Sequence, residues 1–303
     1  MDLTAYRAIE ANRWRSRLIA AANAAILAFL FGLAVWVFGP DAVRPTSSLF
    51  IVIGSAMFGG RDVVLRLLGA RPLSAAENRR LARRFGVISA GLGLRVPPTV
   101  RLVVSPYPNA LAIERVGQAG TLVLSDRLLD LHDDELDAVL AHEMFHLASS
   151  FVGLRSVMAL FRGLVMSVLT TRILWHRLAW AAVLVIAVVA LGPAPLIFLL
   201  FVAAYLIAEA RISRQREYLA DAQAVLVTRH PEGLIRALRR MSSAELLAES
   251  VAPRAKALTE DGELLAASLW TVRPRALAGG WVSRLLDAHP STEDRIRRLE
   301  RMS

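Results

Sequence analysis

"AHEMFH", Ala141 to His146, sets two histidines four residues apart with a glutamate directly after the first. The stretch lies within "DDELDAVLAHEMFHLASS", where Leu136, Val139, Leu140, Met144 and Leu147 recur at helical spacing and Asp133 or Asp134 is placed to cap the start. On such a helix His142 and His146 stand one turn apart on one face, as two imidazoles must to share a tetrahedral ion. Glu143 is displaced by one position, beside the ion rather than on it, where a general base for an activated water is wanted. The competing reading is a pair of histidines that fall four apart by chance, and a third ligand is what separates the two.

Cysteine is absent, so there is no disulfide framework, no thiol nucleophile and no thiolate ligand, and any metal is held by His, Asp or Glu. The residues after the motif, "LASSFVGL", supply no third histidine. Further on, "ARISRQREYLADAQAVLV" reads as a helix continuing out of an apolar membrane segment, with Glu217 and Asp221 four apart on one face. One reading makes Glu217 the missing ligand and Asp221 an acceptor that fixes the tautomer of a ligand histidine. The other makes them a solvated face paired with Arg214 and Arg216. The spacing alone does not choose.

The 303-residue chain is 55% hydrophobic and 20% charged, with a net charge of +10. That mixture suggests membrane segments joined to one solvated domain of ordinary size. The arginines are dispersed among apolar segments with no aromatic-interleaved basic stripe, so nucleic acid is not the expected partner. They fit instead the rule that positive residues stay on the cytoplasmic side. Leu18 to Phe38 carries no charge and is long enough to span about 30 Å of hydrocarbon. Leu49 to Leu68 is a second span if Arg61 and Asp62 pair or sit at the interface. Leu178 to Ala208, split by "GPAP" at Gly192 to Pro195, reads as a hairpin of two short spans with arginines on both flanks. Phe151 to Leu174 either lies along the interface or packs on the spans, and "ESVAPRAKALTEDGE" is the expected flexible loop.

Together, "AHEMFH", an apolar hairpin and then "SRQREYLADA" resemble the HtpX-type membrane zinc metallopeptidases, relatives of the CAAX prenyl protease. Two further stretches carry the resemblance: "NALA" at Asn109 to Ala112, with Leu111 where the family usually has Phe, and "AHPSTEDRIRRLE", which matches a His-Pro-x-x-x-x-Arg element at His289, Pro290 and Arg295. The resemblance implies a mainly α fold with a small β-sheet, a zincin-like metallopeptidase domain combined with about four transmembrane helices. It implies one catalytic Zn2+ on His142, His146 and Glu217, with Asp221 as partner of a ligand and Glu143 as base. It places His289 at the developing oxyanion and Arg295 beside a carboxylate, ahead of a helix capped by Ser291 or Thr292. It makes Asn109, Ala110, Leu111 and Ala112 a substrate-pairing edge. His132, His176 and His230 match nothing and are expected to be surface or packing residues.

The expected organisation is a tail with two spans over 1–68, the first half of the peptidase domain over 69–150, an interfacial helix and hairpin over 151–210, and the second half over 211–303. The expected partners are a peptide or membrane-protein substrate and the lipid bilayer. The expected location is the inner cell membrane, multi-pass, with the catalytic domain cytoplasmic and a quality-control role. The rivals are a processing protease of the CAAX type and a non-proteolytic membrane scaffold.

Overall fold

The computed structural model describes residues 61–148 apart from 63, 67, 95 and 114–119, then 194–251 and 289–302, with single positions at 182, 185 and 189. The first expected span, residues 49–60 of the second, the segment from Phe151 to Leu174 and most of the first hairpin arm lie outside these residues. Among the described residues no helix is long and apolar enough to cross a membrane.

A four-stranded mixed sheet runs in the order β1, β2, β4, β3, with β1 at Arg71–Pro72, β2 at Thr99–Val103, β3 at Ala110–Ile113 and β4 at Thr121–Ser125. β2 and β4 pair parallel, while β1 on β2 and β3 on β4 are antiparallel. Alternation sorts the side chains between two apolar layers. Leu102, Ala110, Ala112, Leu122 and Leu124 point into the main core, and Val103, Leu111, Ile113 and Val123 into a smaller cluster behind the sheet. Val64, at the end of the expected second span, packs in that rear cluster, and Arg61 pairs with Asp62 at 2.9 Å just before it.

Helix α1 (Ala75–Leu92) starts at a capping box in which Ser74 accepts from Glu77 and Glu77 accepts from Ser74, with Arg71 forked onto the same carboxylate. It ends at Gly93, whose φ of 67° is the left-handed value glycine tolerates. Helix α2 (Asp133–Ala148) carries "AHEMFH" and is the central element, packed by α1, by β3 and by the two helices that follow. From Ala138 to Leu147 every residue is buried, the polar His142, Glu143 and His146 included.

The expected cap is corrected here. Asp133 and Asp134 are already inside the first turn, and the residue before them, His132, takes the capping place: its carbonyl accepts from Leu136, and its N–H donates to the Glu135 carboxylate. The two aspartates instead favour the helix N-terminus by charge and pair with Arg84 and Arg236.

Helix α3 (Ala194–Thr228) is one uninterrupted helix, so the second arm of the expected hairpin and the segment bearing Glu217 and Asp221 form a single rod about 52 Å long at 1.5 Å per residue. It stops at Arg229, which takes a φ of 58°, and Pro231 then opens α4 (Pro231–Val251). The start of "ESVAPRAKALTEDGE" continues α4 to Val251, and the remainder lies outside the described residues. The terminal helix α5 (Thr292–Leu299) is capped by Ser291, whose side chain accepts from the Asp294 N–H at 3.0 Å.

Gly233 lets α4 cross close to the start of α2: a Cβ there would stand 2.9 Å from the Asp134 carbonyl oxygen, which as backbone has little room to retreat. Gly233→Ala is therefore expected to destabilise the fold by about 1–3 kcal/mol through overpacking. The measurement is the unfolding midpoint in detergent, and an unshifted midpoint would show that the two helices separate at no cost.

Candidate metal centre

Three helices deliver the expected polar residues to one buried place. His142, Glu143 and His146 come from α2, Glu217 and Asp221 from α3, and Arg295 from α5, with His289 on the segment leading into α5. Glu143, Glu217, Asp221 and Arg295 are each no more than 2% exposed and His142 not at all. The face that sequence alone left open to solvent is thus interior.

The Nε2 atoms of His142 and His146 face each other at 3.2 Å with their rings nearly perpendicular. The Glu217 carboxylate closes the triangle, Oε2 lying 3.5 Å from His142 Nε2 and Oε1 3.4 Å from His146 Nε2. Glu143 Oε1 is 3.9 Å from His142 Nε2, alongside this triangle. His289 Nδ1 lies 3.4 Å from Glu217 Oε2.

Behind the triangle, Asp221 Oδ1 meets His142 Nδ1 at 2.9 Å. Arg295 grips Asp221 with two bonds, Nη2 donating to Oδ1 at 2.6 Å and Nε donating to Oδ2 at 2.9 Å. Such a fork fixes the plane of the carboxylate as well as its position.

This donor set suits a metal ion. His142, His146 and Glu217 form a group whose ligand atoms all lie within 4.8 Å of one another. A tetrahedral zinc with bonds of about 2.0–2.1 Å has ligand-to-ligand edges of about 3.3 Å. The observed 3.2, 3.4 and 3.5 Å match such edges. With its Nδ1–H donated to Asp221, His142 presents an Nε2 lone pair to another imidazole and a carboxylate, an arrangement of acceptors that a cation stabilises.

In the metal-free protein a proton takes part of that role. Burial and the Arg295 charge both work against the His142 cation, but hydrogen bonds to Asp221 and Glu217 outweigh them and push its pKa up to about 9. Burial likewise favours protonated Glu217 and Asp221, yet the histidines around Glu217, and Arg295 and His142 around Asp221, hold both carboxylates below their usual range.

The remaining expected residues are placed as follows. Ala110, Leu111 and Ala112 lie in β3, the last strand of the sheet among the described residues, with Asn109 at its start, and all four are buried. Ala110 and Ala112 face the α2 layer, whereas Leu111 points into the rear cluster. A substitution of Phe by Leu there therefore changes packing behind the sheet. His132 and His230 are exposed and apart from the cluster, and His176 lies outside the described residues.

Several supporting residues were not singled out in the sequence. The Ser125 hydroxyl accepts from the N–H groups of Asn109 and Leu128, at 2.8 and 3.2 Å, and so pins the start of β3. Its signal was a serine before a short turn, a weak cap pattern. Glu135, fully buried, meets Arg236 at 3.6 Å and Arg240 at 3.4 Å, tying α2 to α4. Arg298 stacks over the Tyr218 ring at 3.7 Å, so α5 is fastened to α3 one position from Glu217.

Residues 75–303 match Peptidase family M48. Over most of its length the chain is also similar to a protein described as "Protease HtpX homolog" from Tropheryma whipplei (strain Twist), 32% identical over 300 residues covering 92% of this chain and 95% of that one. A protein of the same description from Dictyoglomus thermophilum is 32% identical over 315 residues, covering 99% of this chain and 95% of that one. Among solved structures, the crystal structure of S. mikatae Ste24p aligns with a TM-score of 0.48 and 18% identity, over 99% of this chain and 67% of that one.

Two outcomes are expected of the metal itself. Because His142 must lose its proton to ligate, apparent zinc affinity should fall about tenfold per pH unit as pH drops below about 9, and a pH-independent affinity between 6 and 8 would show that His142 holds no such proton. Asp221→Asn, which keeps the shape but loses the charge that orients His142, should weaken zinc binding about 10–100-fold in a chelator competition. Unchanged affinity there would remove Asp221 from any role in setting the ligand.

Proposed function

The chain belongs to Peptidase family M48 and is a metalloprotease, and from that premise we propose that it is a zinc-dependent endopeptidase of the inner membrane. In this reading it cuts membrane proteins or damaged chains at the cytoplasmic face, as a quality-control enzyme. The observation that carries the reading is the buried triangle of His142, His146 and Glu217 with Glu143 alongside.

A zinc ion held by His142, His146 and Glu217 would supply the Lewis acidity that activates a water and polarises the scissile carbonyl. The residues do the rest. Glu143, displaced from the ligand face by one helical position, takes the proton of the attacking water and hands it to the leaving amine. His289, beside Glu217, donates a hydrogen bond to the oxyanion as the carbonyl becomes tetrahedral. Arg295 holds Asp221, and Asp221 holds the His142 ring, so the ligand set is oriented before substrate arrives. Asn109 to Ala112, at the outer edge of the sheet, pair with the substrate backbone by strand addition and align the scissile bond without reading most side chains.

The membrane part of the proposal rests on sequence and on one feature of α3. Its N-terminal half leaves Leu196 and Leu200 exposed, 44% and 71%, on the run expected as a span, and Arg211, Arg214 and Arg216 follow. The relatives' description as HtpX homologues agrees with a protease of this kind. About four spans, with both termini cytoplasmic, complete the topology.

Glu143→Gln is expected to keep its zinc and to slow cleavage of a membrane-anchored test substrate by about 10²–10⁴-fold. The checks are metal content by elemental analysis and cleavage in proteoliposomes. A variant that cuts as fast as the parent would sink the assignment of Glu143.

A further inference from the structure

The helix that carries the third ligand is continuous with the expected membrane arm, and that continuity sets a length. From Ala208, the last residue of the apolar run, to Glu217 is nine positions of uninterrupted helix. At 1.5 Å per residue this is about 13 Å along the axis. No glycine or proline follows Pro195 within α3, so nothing in its composition invites a kink. The two ends of the rod have opposite character: Leu196 and Leu200 are exposed at one end, while Ala210, Glu217, Ala220, Asp221 and Ala224 are buried at the other. Glu209 and Arg211 open the charged stretch, so the hydrocarbon boundary lies no later than Ala208.

We propose that α3 acts as a ruler, holding the metal triangle about 10–13 Å above the hydrocarbon over tilts up to about 40°, so that membrane-anchored substrates are cut only beyond a minimum distance from their own span. This deepens the protease reading above and rests on it. An extended chain advances about 3.3 Å per residue, so three or four residues are needed to climb from the bilayer edge to the metal. Pairing with β3 requires further extended residues on the membrane side of the scissile bond. The preferred substrate is therefore a span followed by a flexible, unfolded juxtamembrane segment. A folded domain abutting the bilayer, or a bond within a residue or two of the span, does not reach.

The test uses the full-length wild-type enzyme with zinc in proteoliposomes and single-span substrates carrying one cleavable sequence. That sequence is placed at 1, 2, 4, 6, 8 and 12 residues from the end of the span, with the same sequence supplied as a free peptide. Cleavage is expected to be at least about tenfold slower at one and two residues than at eight, and to level off between about six and eight, from the rise per residue of the two chains. Equal cleavage at one residue and at eight overturns the ruler. Failure to cut even the free peptide strikes the protease reading instead.

A second measurement needs no activity. The chain has no cysteine, so Leu200→Cys and Leu226→Cys each give one labelling site on α3, at positions 71% and 56% exposed. A fluorophore at position 200 should be quenched by nitroxide-labelled acyl chains and one at position 226 should not. Equal quenching at both positions shows a helix lying flat on the surface and overturns the ruler, and quenching at neither shows that the membrane reading itself fails.

Discussion

The buried pair of Arg295 and Asp221 holds the centre together. Removing two charges from water costs several kcal/mol per ion, and the cost is offset only when geometry is good and every polar group finds a partner. Here the guanidinium is forked on both carboxylate oxygens and one of those oxygens also meets His142. The pair therefore joins α5 to α3 and, through the imidazole, to α2. These three segments are far apart in sequence, and α5 is only eight residues long. A helix that short has little stability of its own and takes its place from what it touches. Arg295, together with Arg298 on the Tyr218 ring, gives it two anchors on the same helix.

The sheet and α2 supply the rigid frame for this polar interior. β4 is buried along its whole length, with Leu122 and Leu124 toward α2 and Val123 toward the rear cluster. A strand covered on both faces has one register that suits both layers, since a slip of one residue would exchange them. That register fixes β3, and Ser125 fixes where β3 begins.

How much of this was legible in the sequence depended on the range of the interactions. The helix of "AHEMFH" follows from local spacing, and the serine cap of α5 from local chemistry. His132 did not announce itself as the cap of α2 because it uses its backbone, while the acidic pair after it carried the stronger signal. β1 was hidden for a related reason: two residues including a proline have no strand pattern, and they join the sheet only because β2 lies alongside. Glu217 and Asp221 were ambiguous because carboxylates four apart among arginines look alike whether solvated or buried. Only packing by α2 and α5, and the resemblance to a known family, separate the two cases. The continuity of α3 was legible, since the polar segment reads as a helix continuing out of the apolar arm and no helix-breaking residue stands between them.

Charge balance in the buried cluster favours a divalent cation at the triangle of His142, His146 and Glu217. Glu143, Glu217 and Asp221 bring three negative charges into an interior where Arg295 brings one positive charge, all four residues being at most 2% exposed. The excess of two negative charges is unfavourable in a medium of low dielectric. A proton on His142 relieves part of it, which is why that imidazole is pushed up to about 9 despite complete burial. A divalent cation at the triangle removes the excess entirely and releases that proton. A third histidine in place of Glu217 would leave the metal-loaded cluster of these charges with a net positive charge. In the proposed reading, the anionic Glu217 keeps a metal-loaded site near neutral while Asp221 stays ionised and holds His142.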